Sequence, residues 1–313
     1  MDALMGTLGI LYPGQGAQAV GMGKDLVEGR PVLRARFDEA SDILGFDLAK
    51  VCFDGPEEEL KRSDRAQPAI FVHSVIARDA LRSETGLEVS FVAGLSSGEW
   101  AALYDAGVVS YADALKVLEA RGRLMQQACS EQAGGMLSVI GLADEKLAAL
   151  AETCGVELAN FNSPGQTVLS GPIAGIEKAG PLAKEAGAKL AVQLDVAGAF
   201  HSSLMSSAAE AFAEVLSQIT LNEPTIPVFS NVSGDAHTGV AEIPSAMVAQ
   251  ITSSVQWVKN VQSMIAAGTD TFVECGPGKI LTGLVKRIDK TPTLHNIYDL
   301  QSLERTVESL TSA

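Results

Sequence analysis

The residues best placed to do chemistry lie in Phe91-Val92-Ala93-Gly94-Leu95-Ser96-Ser97-Gly98-Glu99-Trp100, an apolar run that breaks into Gly-x-Ser-x-Gly before a helical pattern. Strand, sharp glycine turn and helix together make a nucleophile elbow, which holds Ser96 at the apex beside the free N–H groups of a helix start. Serine is a weak nucleophile and needs a general base within hydrogen-bond reach. The chain has four histidines. His73 falls in an apolar helical stretch and reads as core; His237 and His295 fall in polar connecting segments and read as surface positions. His201, in Gly198-Ala199-Phe200-His201-Ser202, reads as a helix-opening residue and is the best candidate base. Arg121 and Arg123 stand two apart on a helical pattern, so only one of them can face a site.

Three kinds of element must position these groups. Before the elbow and through it, short apolar strands alternate with helices: a strand at 8–12, helices at 32–44 and 68–81, a strand at 89–93, and a helix that opens on Ser110-Tyr111-Ala112-Asp113 and runs towards 128. That alternation predicts an α/β fold with a parallel sheet. From Gly134 the rhythm becomes β-α-β-β-α-β, with strands at 136–140, 156–162, 167–170 and 189–194 and helices at 144–153 and 174–186. This is the split pattern of a ferredoxin-like unit. It predicts a small domain, residues 133–196, inserted into a large domain made of 1–132 and 197–313. The large domain resumes with a helix at 201–219, a strand at 226–230, helices at 244–251 and 257–267, a strand at 271–275, and a helix at 279–288 after Gly276-Pro277-Gly278.

Composition narrows the class of function. With 313 residues, 47% of them hydrophobic and 19% charged, the chain can bury a large core. A net charge of −15 argues against nucleic-acid or anionic-membrane partners, which need a basic face. Cys52, Cys129, Cys154 and Cys275 are widely spaced, so neither a zinc cluster nor a disulfide framework is expected, and they read as reduced thiols of a cytoplasmic protein. Asp2 stands where a secretion signal would place basic residues, and no apolar run is long enough to span a membrane.

The ordered motifs Pro13-Gly14-Gln15-Gly16-Ala17-Gln18, Gln67-Pro68-Ala69, Gly94-Leu95-Ser96-Ser97-Gly98-Glu99, Arg121-Gly122, Asn160-Phe161-Asn162-Ser163-Pro164, Ala199-Phe200-His201-Ser202 and Gly276-Pro277-Gly278 carry a resemblance. Over nearly its whole length the chain resembles the malonyl-CoA:acyl carrier protein transacylases, the acyltransferases of fatty acid synthesis. The resemblance implies an α/β-hydrolase-like large domain with a ferredoxin-like insert. It implies Ser96 as nucleophile, His201 as base, and the backbone N–H groups of Gln15 and Ser97 as oxyanion hole. It also implies the Gln250 main-chain carbonyl as the group orienting His201, Arg121 as the grip on the substrate carboxylate, and Gln67, Met125 and Phe200 around the acyl pocket. Malonyl-CoA and an acyl carrier protein are the expected partners, with no metal or other cofactor. Phe200 is expected to crowd an α-methyl branch.

The same residues admit rival readings. Gly14-x-Gly16-x-x-Ala19 after a strand superficially matches a dinucleotide fingerprint, but residues 31–45 read as a helix where that fold needs a second strand ending in an acid. Asp195 reads as a turn residue rather than a triad acid, and Glu99 as structural. Leu95 and Ser97 depart from the histidine and leucine common in the family, and Ser97 bears on the shape of the acyl pocket. The competing functions are an acyltransferase serving a polyketide synthase, a serine thioesterase or hydrolase, and a non-catalytic docking module. Lys279, Lys286, Arg287 and Lys290 form the densest C-terminal basic cluster, a candidate landing point for an acidic carrier protein.

Overall fold

A computed structural model describes residues 7–312; Asp2 lies outside them. Nine strands follow in chain order: β1 (Thr7–Tyr12), β2 (Phe91–Gly94), β3 (Gly134–Ile140), β4 (Glu157–Ser163), β5 (Gln166–Pro172), β6 (Leu190–Gln193), β7 (Val228–Phe229), β8 (Thr269–Cys275) and β9 (Thr293–Ile297). Five of them form a parallel sheet in the order β7-β2-β1-β8-β9, with β1 at its centre. Side chains of a strand alternate between faces, and a parallel sheet needs both faces covered. On β1, Leu8, Ile10 and Tyr12 join the core that includes Phe71, Val72 and Trp100, whereas Leu11 joins Phe229, Trp257 and Phe272 on the other side. The chain is therefore mixed α/β, with a parallel sheet whose central strands are sealed from water.

The other four strands make a separate antiparallel sheet in the order β4-β5-β3-β6. Its residues split in the same alternating way. Leu137, Val139 and Leu169 pack under the helices Asp144–Cys154 and Ile173–Glu185, while Met136 and Val168 join the core of the large unit. A parallel bridge between Asn160 and Val255 fixes β4 to the larger unit. One face of the small sheet thus becomes a wall beside the elbow.

Several sequence expectations change. The helix placed at 68–81 runs from Ser63 to Thr85, with Pro68 inside it; packing of a helix buried through most of its length outweighs the loss of one N–H bond. His201 does not open a helix: its φ is 58°, and α-helix begins only at Ser206. The strand placed at 226–230 contracts to Val228–Phe229. β9 and the helix Leu300–Thr311 carry no strong signal, because β9 is an edge strand with only Ile297 fully buried and the helix is capped by an Asp299/Ser302 box rather than the Ser/Thr-to-Glu pattern. His295 lies on that strand, half-buried, rather than on the surface.

The elbow exists because three backbones touch. A Cβ on Gly94 would lie 2.0 Å from the Gly98 carbonyl carbon, one on Gly98 would lie 2.2 Å from the Tyr12 oxygen, and one on Gly14 would lie 2.2 Å from the Leu95 oxygen. Glycine here is a matter of volume, unlike Gly283 in the exposed face of the helix Ile280–Ile288, where nothing lies within 4 Å. Gly94→Ala should therefore lower stability by about 1–3 kcal/mol, the cost of overpacking, while Gly283→Ala should raise it by about 0.5–1 kcal/mol. Urea midpoints of the two variants, moving in opposite directions, check this.

Candidate active site

β2 delivers Ser96 into a single 3-10 turn, Ser96–Gly98, which leads into the helix Glu99–Asp105. Ser96 has φ 54°, and the only other described non-glycine residue with positive φ is His201. Strain of this kind, of order 1–3 kcal/mol each, survives only where the surroundings enforce it. Here it aims two side chains at one another. His201 Nε2 lies 2.8 Å from Ser96 Oγ, and His201 Nδ1 lies 2.8 Å from the Gln250 main-chain oxygen. A carbonyl can only accept, so Nδ1 carries the proton and Nε2 presents its lone pair to the serine hydroxyl. Burial, reinforced by the positive charge of Arg121, pulls the His201 pKa down to about 4.

Arg121 comes from the helix Tyr111–Glu131, which approaches the Ser63–Thr85 helix closely at Gly122. Its guanidinium is buried, 1% exposed. One terminal nitrogen donates to Gln67 Oε1 at 2.9 Å; the other donates to Gln250 Oε1 at 3.0 Å and reaches Ser96 Oγ at 3.3 Å. Nε has no acceptor, and no carboxylate pairs with Arg121 among the described residues. Burial draws its pKa down to about 10, opposed by the charge of Glu99. Arg123, by contrast, faces outward and pairs with Glu119 at 3.7 Å.

The remaining sequence-predicted residues divide. Gln15, Met125 and Phe200 line the cleft above Ser96, whose volume is about 1070 Å³. Gln67 lies behind the wall, one turn into its helix rather than at its start, bonded to Arg121, to Gln15 Oε1 at 3.2 Å and to Met125 Sδ at 3.8 Å. Gln15 follows Gly14, where a Cβ would lie 2.2 Å from the Leu95 oxygen, and Ser97 follows Ser96 in the elbow's 3-10 turn. The Ser97 side chain is buried and lies outside the residues that line the cleft. Asp195 is an exposed residue at the cleft rim paired with Lys61 at 3.4 Å, well apart from the role of a triad acid.

Sequence reasoning missed a polar group beneath the elbow. Asn231, just after β7, accepts the Ser96 N–H on Oδ1 at 2.6 Å and donates from Nδ2 to the Gly94 carbonyl at 2.7 Å. Asn260 supports it from 3.2 Å. His237, expected at the surface, is buried with its Nε2 2.9 Å from Glu99 Oε1. Burial works against its protonation, but Glu99 and then Glu242 outweigh that and raise its pKa. No pattern in the polar segment around His237 reveals a partner 138 positions away. Glu99 itself is buried and structural in contact, as expected: it accepts from His237, Asn231 N and Gln250 Nε2.

The chain is similar to known proteins along nearly its whole length. The acyl transferase domain family matches residues 10–302. A malonyl CoA-acyl carrier protein transacylase of Bacillus subtilis is 39% identical over 311 residues, covering 98% of each chain. The crystal structure of an acyl carrier protein S-malonyltransferase from Vibrio cholerae superposes with a TM-score of 0.92 at 43% identity, over 96% of this chain and 99% of that one. A solved complex of a malonyl-transacylase with its type II PKS acyl-carrier protein gives a TM-score of 0.94 at 38% identity, over 97% and 99%. With the match running along nearly its entire length, this chain belongs to the acyl transferase family.

Proposed function

We propose that this protein transfers the malonyl group from malonyl-CoA to the phosphopantetheine thiol of an acyl carrier protein, supplying extender units for fatty acid synthesis. The observation that carries the reading is the buried Arg121 guanidinium, which has no carboxylate partner and one unused donor. A buried charge without its counter-ion is costly, and a substrate carboxylate is the group that would satisfy it. The planar fork suits the free carboxylate of a malonyl thioester; acetyl offers nothing to it.

The reaction runs in two halves. His201 Nε2 takes the proton from Ser96 Oγ, which attacks the thioester carbonyl; the oxyanion meets the Gln15 and Ser97 amides, and collapse breaks the carbon–sulfur bond as the imidazolium returns its proton to the CoA thiolate. The malonyl-serine ester remains. The carrier's thiol then gives its proton to His201 and attacks the ester, and Ser96 recovers its proton as it leaves. Gln250 holds the base through a neutral carbonyl. Phe200, buried next to His201 on the cleft wall, limits room at the α-carbon. No metal or redox group takes part in these steps.

We read the large unit, residues 1–132 and 197–313, as α/β-hydrolase-like and residues 133–196 as a ferredoxin-like insert. The support is the βαββαβ order with strands arranged β4-β5-β3-β6 and a core of its own. The cleft between the two units gives the ester a narrow setting, which favours the carrier's thiol over water. The cytoplasm is the proposed location: the four cysteines are free, and among the described residues no helix is long and apolar enough to cross a membrane. For the carrier we read the basic cluster as the landing point; in support, Ile280 and Leu284 of its helix form part of the cleft wall, and Arg287 donates to Gln166, another wall residue, at 2.6 Å.

Intact mass spectrometry tests the reaction directly. Malonyl-CoA should add one malonyl group to wild type and none to Ser96→Ala, and holo carrier protein should remove it; His201→Ala should slow labelling by roughly 10²–10⁴-fold. A labelled Ser96→Ala protein overturns the mechanism, and release of free malonate faster than transfer makes the protein a hydrolase.

Arg121→Ala should reduce kcat/KM for malonyl-CoA by roughly 10–150-fold, the worth of a hydrogen bond to a charged group. Acetyl-CoA, lacking the carboxylate, should lose far less. Equal losses would make Arg121 merely structural.

The acid limb gives a third check. His201 must be neutral to act as base, and a depressed pKa keeps it neutral to lower pH. For wild type, kcat/KM for malonyl-CoA should therefore hold steady as pH falls through 6.5, the ordinary histidine value, and decline only towards about 4. In Arg121→Ala the limb should move upward, because one of the two influences depressing the base is gone.

A further inference from the structure

Two opposite charges lie buried behind Ser96 without touching. Arg121 is 1% exposed and Glu99 is 1% exposed, yet the Gln250 side chain stands between them. It accepts from Arg121 on Oε1 at 3.0 Å and donates from Nε2 to Glu99 Oε2 at 2.7 Å, with the Ser96 carbonyl 3.2 Å from the same nitrogen. Its own main chain holds His201. A glutamine amide can sit either way round, and its surroundings decide which end faces where. The Glu99 carboxylate oxygens take the Asn231 N–H and face His237 Nε2, so as the nearer of the two acceptors Glu99 draws Nε2 and leaves Oε1 for the guanidinium. Glu99 is fixed in turn by His237 Nε2 at 2.9 Å on one oxygen and by the Asn231 N–H at 3.0 Å on the other. Were the amide reversed, its NH2 would meet the guanidinium, donor against donor, and Arg121 would lose one of the two bonds that aim it. Were Glu99 in direct contact with Arg121 instead, it would occupy the fork that a substrate carboxylate needs.

We propose that Glu99, locked by His237, is a positioning residue for the substrate carboxylate: it fixes the Gln250 amide and through it the aim of the Arg121 fork, while staying one amide away so that the fork remains open. Glu99 touches neither substrate nor reacting atoms. This rests on malonyl transfer as the reaction, and its signature is selectivity rather than overall rate.

The test is Glu99→Gln, which keeps the shape but has one accepting oxygen in place of two, so it no longer dictates which end of the Gln250 amide it meets. Steady-state kcat/KM is measured for malonyl-CoA and acetyl-CoA with one carrier protein, in wild type, Glu99→Gln, Arg121→Ala and the double variant. The malonyl-to-acetyl ratio should fall roughly tenfold in Glu99→Gln, at the low end of what a hydrogen bond to a charged group is worth. On the Arg121→Ala background the same change should leave the ratio where Arg121→Ala puts it, since the two act as one unit. Loss shared equally between the substrates, or a further fall of the ratio without Arg121, overturns the proposal. Should Glu99→Gln fail to fold, Gln250→Met removes the bridge while keeping the main-chain carbonyl on His201, and the same fall in ratio is expected; an unchanged ratio there overturns it equally. A wild type that transfers no malonyl overturns the reaction itself, whereas one that does, with unaltered ratios in the variants, overturns only the role of Glu99.

Discussion

A full positive charge is held where water does not reach. The Arg121 guanidinium, 1% exposed, is tied by two glutamine side chains, Gln67 and Gln250, and among the described residues by no acid. Amide oxygens orient a guanidinium but neutralise none of it, so the charge stays available and its field is felt nearby at low effective dielectric. The nearest consequence is at His201, whose basicity, lowered first by burial, falls further because the same charge opposes an imidazolium. The helices that carry Gln67 and Arg121 must approach closely to make this possible; a Cβ on Gly122 would lie 2.3 Å from the Ser63 carbonyl oxygen. The tight packing of two helices is thus a condition for the charge's placement.

The second constraint is geometric. Ser96 and His201 arrive from segments 105 residues apart and both adopt the left-handed region. For Ser96 the conformation follows from the elbow, where Gly94 and Gly98 touch and Asn231 takes the serine's own N–H. For His201 it follows from the turn by which the chain leaves the small sheet and re-enters the large unit. Neither residue would rest there in isolation. The parallel sheet supplies the rigidity: β1, β2 and β7 end together beneath the site, and their loops carry Gln15, Ser96 and Asn231.

Much of this was legible in the chain because it depends on local pattern. Gly-x-Ser-x-Gly fixes an elbow whatever surrounds it, and the βαββαβ rhythm survives because its inner strands and its two helices share a core of their own. Arg121 could be separated from Arg123 only through the resemblance, since spacing alone leaves both open. Features resting on distant partners stayed hidden. His237 is polar, sits in a connection and looks exposed until the fold brings Glu99 to it. His201 was read as a helix opener because the serines and small residues after it are compatible with helix; the positive φ that aims its ring is imposed by its partners. β9 has half-buried, unpatterned residues, as an edge strand does, and periodicity has nothing to detect there.

The arrangement ties basicity to occupancy. His201 is a weak base in its buried setting, and one guanidinium nitrogen lies 3.3 Å from Ser96 Oγ, close enough to occupy the oxygen's lone pair. Under the proposed reaction, a carboxylate on Arg121 would offset part of the positive charge that, after burial, holds His201 down, and would give the guanidinium a better acceptor than the serine hydroxyl. The first change would strengthen the base; the second would free the Ser96 lone pair for attack while withdrawing a donor that steadies the alkoxide. An acyl group with a carboxylate would therefore meet a stronger base than one without. The same would hold for the malonyl-serine ester, whose carboxylate is still there when the carrier's thiol gives up its proton.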